Sequence, residues 1–177
     1  MLPKITTGGA LFSEDRTYRY RLWRQWGQKS TRASIFFICL NPSIADETRD
    51  DPTQRRLRGY ASAWGYDGYI MGNIFAYIST DPKALKTVAD PIGPENDMHL
   101  KTMQERSEMT VVAWGTWGKL LGRDAQVLDL LQRRNVFCFG VNKDGTPKHP
   151  LYLKAHLNPQ RLNIALEEGH VIEHKIK

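Results

Sequence analysis

Residues 33–40 read ASIFFICL, an unbroken apolar run that stops at Asn41-Pro42-Ser43. A strand with one wet face alternates apolar and polar side chains, because successive Cβ atoms point to opposite sides. A run without alternation is a strand covered on both faces, the habit of a parallel sheet between helix layers.

The flanking sequence supplies those helices. Asp51-Pro52 offers an N-cap and a first-turn proline, and Gly65 a stop. Strands are expected over 68–75 (GYIMGNIF), 109–114 (MTVVAW) and 136–141 (VFCFGV). Helices are expected from Pro94 to about 107, over about 117–134, and from Asn158-Pro159 to about 168. Ahead of them, GGALFSEDRTYRYRLWRQW predicts a hairpin turning at Glu14-Asp15-Arg16. The expectation is one α/β domain over 1–177, its core at about 10–168, with a mainly parallel central sheet flanked by helices and an N-terminal hairpin.

A length of 177 residues suits one domain with a real core. No apolar run is long enough to cross a bilayer, and MLPKITTGG lacks the apolar stretch of a signal peptide. A cytoplasmic protein without a membrane partner, acting as a monomer, is expected. Cys39 and Cys138 lie within apolar runs and read as buried free thiols. His170 and His174 have a chelating spacing but sit in a charged tail, so neither metal nor cofactor is expected. The net charge of +6 favours a polyanionic partner such as nucleic acid. The excess is clustered in Arg16, Arg19, Arg21 and Arg24, in Arg55, Arg56 and Arg58, and in Lys143, Lys148 and Lys154.

Ligand sites in parallel sheets gather at the carboxyl ends of the strands. Four such ends carry Asn41, Asn73, Trp114-Gly115 and, after the loop 142–148, His149-Pro150. Each alone is an ordinary turn or loop residue; their recurrence at one end of one sheet is the informative part.

The series LNPSIADETRDDPTQRR, NIFAY, GPEND, WG and HPLY resembles the uracil-DNA-glycosylase superfamily over about residues 10–155. Within it, the chain looks like a bacterial and phage branch with an LNPS-x-AD signature. The resemblance implies a glycosylase-like fold and hydrolysis of the N-glycosidic bond of a base in DNA, leaving an abasic site. Asn41 matches the water-holding position, and His149 the donor to the base carbonyl as negative charge grows there. Asn73 matches the residue reading the pyrimidine edge. An amide can be flipped, so Asn73 alone does not separate uracil from cytosine. Asp46 either assists or caps a turn. Phe75, Tyr60 and Trp64 are candidates for stacking on the base.

The target atom is out of reach inside a duplex, so the base must be flipped or single-stranded. Leu151 and Tyr152 fit a wedge filling the gap, and Lys143 and Lys148 would lie on phosphates with Arg55 and Arg56. Asp50-Asp51 and Asn96-Asp97 suit either a pocket or helix capping. Uracil-restricted enzymes carry a tyrosine two positions after the water-holding residue. Ser43 stands there, which implies room for substituents at C5 of the pyrimidine. Rival readings are a non-catalytic binder of modified or single-stranded DNA, and an enzyme of another nucleotide bond. GTWGK over 115–119 lacks the spacing of a phosphate loop.

Overall fold

The fold is built around the apolar run. In the computed structural model, which describes residues 2–27, 34–132, 135–162, 166–167 and 170–171, that run forms a central strand of a seven-stranded sheet. In chain order the elements are β1 (Thr7–Phe12), β2 (Arg19–Gln25), β3 (Ser34–Cys39), α1 (Pro52–Ala63), β4 (Gly68–Asn73), α2 (Asn96–Glu105), β5 (Ser107–Val112), α3 (Arg123–Leu130), β6 (Val136–Cys138) and β7 (Gln160–Arg161). Short 3-10 turns lie at Pro82–Lys86, Thr116–Gly122 and Pro150–Tyr152, and a separate pair, β8 (Leu166–Glu167) and β9 (His170–Val171), follows.

The strand order is β1-β2-β4-β3-β5-β6-β7. The inner strands β4, β3, β5 and β6 are parallel. The outer pairings, β1 with β2, β2 with β4, and β6 with β7, are antiparallel. The sheet is therefore mixed rather than mainly parallel. The N-terminal hairpin adds to it through β2, and the expected final helix from Asn158 gives way to β7, an edge strand on β6.

Period-two geometry explains the uninterrupted apolar text of β3. Phe36 and Ile38 pack with Val112, Trp114, Leu100 and Val127 on the α2 and α3 side. Ile35, Phe37 and Cys39 pack with Leu57, Tyr60 and Tyr69 on the α1 side. Phe36 and Phe37 are both 0% exposed, so neither position tolerates a polar residue. Both cysteines are free and buried, and burial pushes their thiols up.

α1 starts as its sequence predicts: Asp51 accepts from the Gln54 amide at 2.8 Å, with Pro52 in the first turn. The expected helix over 117–134 is broken. Gly118 lies against the Trp114 ring, where a Cβ would come within 2.1 Å of it. Leu121 and Gly122 then turn left-handed before α3 begins; Arg134 lies outside the described residues. Among those residues no helix is long and apolar enough to cross a membrane.

Candidate functional site

Strand register brings the four expected ends to one edge. Cys39 on β3 pairs with Asn73 on β4, Ile38 with Val112 on β5, and Val112 with Cys138 on β6. Asn41, Asn73, Trp114 and Gly140 therefore leave the sheet side by side. The backbone ties continue past the strands, with Ile74 N donating to Cys39 O and Phe75 N to Leu40 O.

Asn41 is half-buried, and its Nδ2 donates to Pro42 O at 2.9 Å and Ser79 O at 2.8 Å. Two carbonyls fix the orientation of this amide, since the opposite flip would set Oδ1 against both. Oδ1, which meets no donor among the described residues, is left as the acceptor.

Asn73 is 1% exposed. Arg19, equally buried, donates from Nη2 to Asn73 Oδ1 at 3.4 Å and from Nη1 to Ala45 O at 2.5 Å. The guanidinium fixes the second amide too: Oδ1 faces the cation, and Nδ2 is a buried donor with no acceptor among the described residues. The backbone beneath is bolted in place. Asn96 Nδ2 donates to Asn73 O and Ile74 O at 2.9 and 3.1 Å, and Arg123 Nε to Ile74 O at 2.8 Å. Asp97 pairs with Arg123, so Asn96-Asp97 shapes the strand exit.

Asp51 joins this cluster from the start of α1 and is 8% exposed. Burial pushes Arg19 down to about 10, and the Asp51 charge opposes that shift. Burial likewise holds the His149 imidazole below its usual range, again opposed by Asp51. The Asp51 charge thus acts on both Arg19 and His149.

His149 stands on the ends of β5 and β6. Lys148 N donates to Gly140 O and Gly115 N to Pro147 O, both at 2.9 Å. Gly115, with φ +74 and ψ −171, occupies a region essentially closed to other residues. A Cβ there would stand 3.5 Å from His149 Cβ, so the histidine passes directly over this glycine. His149 Nδ1 accepts weakly from Leu151 N at 3.4 Å. The loop is clamped on α1: Arg56 donates to Leu153 O, Tyr60 Oη to Lys154 O at 2.7 Å, and Trp64 Nε1 to Leu157 O at 3.0 Å.

The other expected residues divide. Ser43 is half-buried beside Asn41 in the chain, and Tyr152 is 91% exposed after His149-Pro150 with Leu151 half-buried. Lys143 is exposed and Lys148 half-buried on the adjoining loop. Asp46 closes a turn: its Oδ1 accepts from Thr48 N and Arg49 N, which keeps the carboxyl below the ordinary range. Asp50 binds Arg24 and Arg58. Arg55 donates to Asp50 O, and Arg56 is engaged by Tyr60 and Leu153. Phe75 is fully buried in the core, and Tyr60 stacks on Trp64 and meets Phe139 at a tilt, the three rings forming one cluster. A cavity of about 330 Å3 lies away from this edge, between α2, α3 and the starts of β5 and β6. It touches none of the cluster, and the orphaned buried amide marks chemistry better than volume does.

Sequence reading left Asp51 open between a pocket and a helix cap, and did not single out Arg19 as a site residue. Arg19 and Arg24 belong to the basic cluster assigned to a surface, yet both are buried against carbonyls of residues 45–49. The usable signal was an arginine within a strand of alternating aromatics, where an inward cation demands acceptors. Among the described residues no three metal-ligating side chains gather; His174 lies outside them.

No curated protein and no solved structure matches the chain. A family model described as a protein of unknown function, DUF1643, matches residues 19–151. That span begins at Arg19, ends just past His149 and holds the whole cluster. It covers most of the chain, and the protein therefore belongs to the DUF1643 family.

Proposed function

We propose that the carboxyl-edge cluster is the active site of a DNA glycosylase acting on a flipped, uracil-type pyrimidine. The observation that carries this reading is the pair of fixed amides. Asn41 is pinned through its nitrogen and keeps an oxygen free; Asn73 is pinned through its oxygen and keeps a nitrogen free.

The chemistry follows from those polarities. Hydrolysis bonds a water oxygen to C1′ while the C1′–N1 bond breaks, and the electron pair leaves with the base. The proton lost by the water ends on the departed base. Asn41 Oδ1 orients the water by accepting a hydrogen bond, which positions it without taking its proton. His149, kept neutral by burial, supplies a hydrogen-bond donor to the charge growing on the base carbonyl. Asn73 Nδ2 donates to a 4-carbonyl, and the second lone pair of Oδ1 accepts from N3–H. Uracil, thymine and their 5-substituted forms present that edge; cytosine presents the opposite order. Tyr152 supplies an exposed ring to fill the vacated stack, and the +6 charge suits the phosphates.

The test is a set of otherwise identical oligonucleotides carrying uracil, thymine, 5-hydroxymethyluracil or cytosine, treated with protein and then alkali. Alkali-dependent breaks at the 4-carbonyl bases are expected. A gel shift without breaks overturns the reading in favour of a non-catalytic binder.

A further inference from the structure

Beside the amide cluster, the same edge carries a second recess that the proposed chemistry does not use. An open cleft of about 420 Å3 runs between the turns Pro82–Lys86 and Thr116–Gly122, lined by Lys86, Thr116, Trp117, Lys119 and Leu120. Lys86 Nζ stands 5.0 Å from the centre of the Trp117 ring. Lys119 Nζ donates to Asp144 O at 2.7 Å.

Both walls continue from the candidate site. On one side Asn41 holds Ser79 O, Ser79 Oγ holds Asp81 O at 2.8 Å, and Asp81 caps the turn that ends in Lys86. On the other, Gly115 lies beneath His149 and leads into Trp117, while Lys119 reaches the loop 142–148. The nearby carboxylates are committed locally, Asp81 to Lys83 N and Asp144 to Thr146. A carboxylate keeps its charge when it accepts from neutral donors, so Asp144 still offsets Lys119, while Lys86 makes no ion pair among the described residues and lies over the Trp117 ring.

One strained residue flanks the cleft. Leu121 has φ +58 and is 59% exposed. A left-handed leucine carries steric strain, and burial does not offset it here, because the side chain stands in solvent. Such outliers persist only where the surrounding structure holds them, and they cluster at functional sites.

We propose that this cleft binds a single-stranded stretch of DNA next to the target nucleotide. A neighbouring base stacks on Trp117, and Lys86 and Lys119 meet the adjoining phosphates. Every base has a π-face, so an aromatic platform with flanking ammonium groups grips a strand regardless of sequence. The flexible stem of Lys86 lets its ammonium leave the ring for a phosphate close by. This inference rests on the DNA reading above, but it concerns binding rather than excision.

The experiment uses a fluorescent oligothymidylate whose sugar carries a non-hydrolysable C1′ linkage, so that binding is measured without turnover. Anisotropy titrations at several salt concentrations compare wild type with Trp117→Ala, Trp117→Phe and Lys86→Ala/Lys119→Ala, each checked for its native circular dichroism. Trp117→Ala is expected to weaken binding about ten-fold and Trp117→Phe to restore most of it. The double lysine variant should lower the slope of log affinity against log salt by about 1.4, the value for two phosphates on a single strand. Unchanged affinity in a folded Trp117→Ala, equal loss in Trp117→Phe, or an unchanged salt slope overturns the proposal. Excision with normal binding by Trp117→Ala sinks the cleft and leaves the glycosylase standing. Strand binding through Trp117 without excision of any base does the reverse.

Discussion

Arg19 Nη2 donates to Asn73 Oδ1, and this contact between two buried side chains decides which end of the amide is free. Asn73→Asp keeps an oxygen against the cation and replaces the free donor by an acceptor. Excision of uracil should fall at least about ten-fold, the cost of one mismatched buried hydrogen bond, and the ranking should move toward cytosine. Single-turnover rates on the paired substrates check this. An unchanged ranking would show that Asn73 does not read the base.

Asn41 gives a prediction against simple intuition. Aspartate is the stronger base, yet Asn41→Asp would set a carboxylate oxygen against Pro42 O and Ser79 O. The variant should lose about 1–3 kcal/mol of stability and gain no rate. Asn41→Ala should abolish turnover and leave DNA affinity nearly intact, because the role proposed for the amide is on the water rather than on the bound strand. Thermal melts and single-turnover assays separate the two, and a faster Asn41→Asp enzyme would refute the orientation assigned here.

Asp51→Asn separates charge from capping. Asparagine caps helices as well as aspartate does, so α1 should survive with a change below about 1 kcal/mol. Burial lowers the His149 pKa from 6.5 and Asp51 raises it, so removing the charge should lower it further. Imidazole signals followed by NMR titration give the answer; an unmoved His149 would mean the two do not face each other.

The same shift carries a pH dependence. A histidine with a depressed folded pKa binds more protons when unfolded, so stability rises with pH between the two values. The contribution is full above the ordinary 6.5 and declines as pH falls through it toward the folded value. His99, lowered chiefly by burial, acts in the same direction. His149→Asn should flatten part of that slope in denaturant midpoints measured from pH 7.5 to 5, and an unaltered slope would assign it elsewhere.

Local text wrote much of this arrangement. The non-alternating β3 run dictated a strand buried on both faces, and Asp51-Pro52 dictated the start of α1. The line of polar residues after successive strands placed Asn41, Asn73 and His149 at one edge. The missing part was non-local. Arg19 and Arg24 look like surface cations until the segment 45–49 folds over and offers its carbonyls. Asn158-Pro159 carries a cap signal, but pairing of Phe137 with Arg161 makes that stretch an edge strand. Leucine spacing over 117–134 predicts one helix, and the contact of Gly118 with Trp114 breaks it.

Ser43 sets the last expectation, which concerns the size of the base. It stands two residues after Asn41, where the resemblance to the uracil-DNA-glycosylase superfamily would put the tyrosine that packs on C5 of the pyrimidine in uracil-restricted members. Serine is smaller than tyrosine by most of an aromatic ring, and its hydroxyl can donate or accept. The aromatic residues that could close the gap are engaged: Phe75 is 0% exposed in the core, and Tyr60 is 1% exposed with its hydroxyl on Lys154 O. Exclusion at C5 should therefore be weak. We expect 5-hydroxymethyluracil to be excised at least as fast as uracil, and Ser43→Tyr to cut the larger base selectively by about ten-fold or more through steric overlap. Single-turnover excision of uracil, thymine and 5-hydroxymethyluracil by both proteins decides it. A wild type that cuts plain uracil alone, or a Ser43→Tyr variant with the same preference as wild type, would show that another group closes the C5 side.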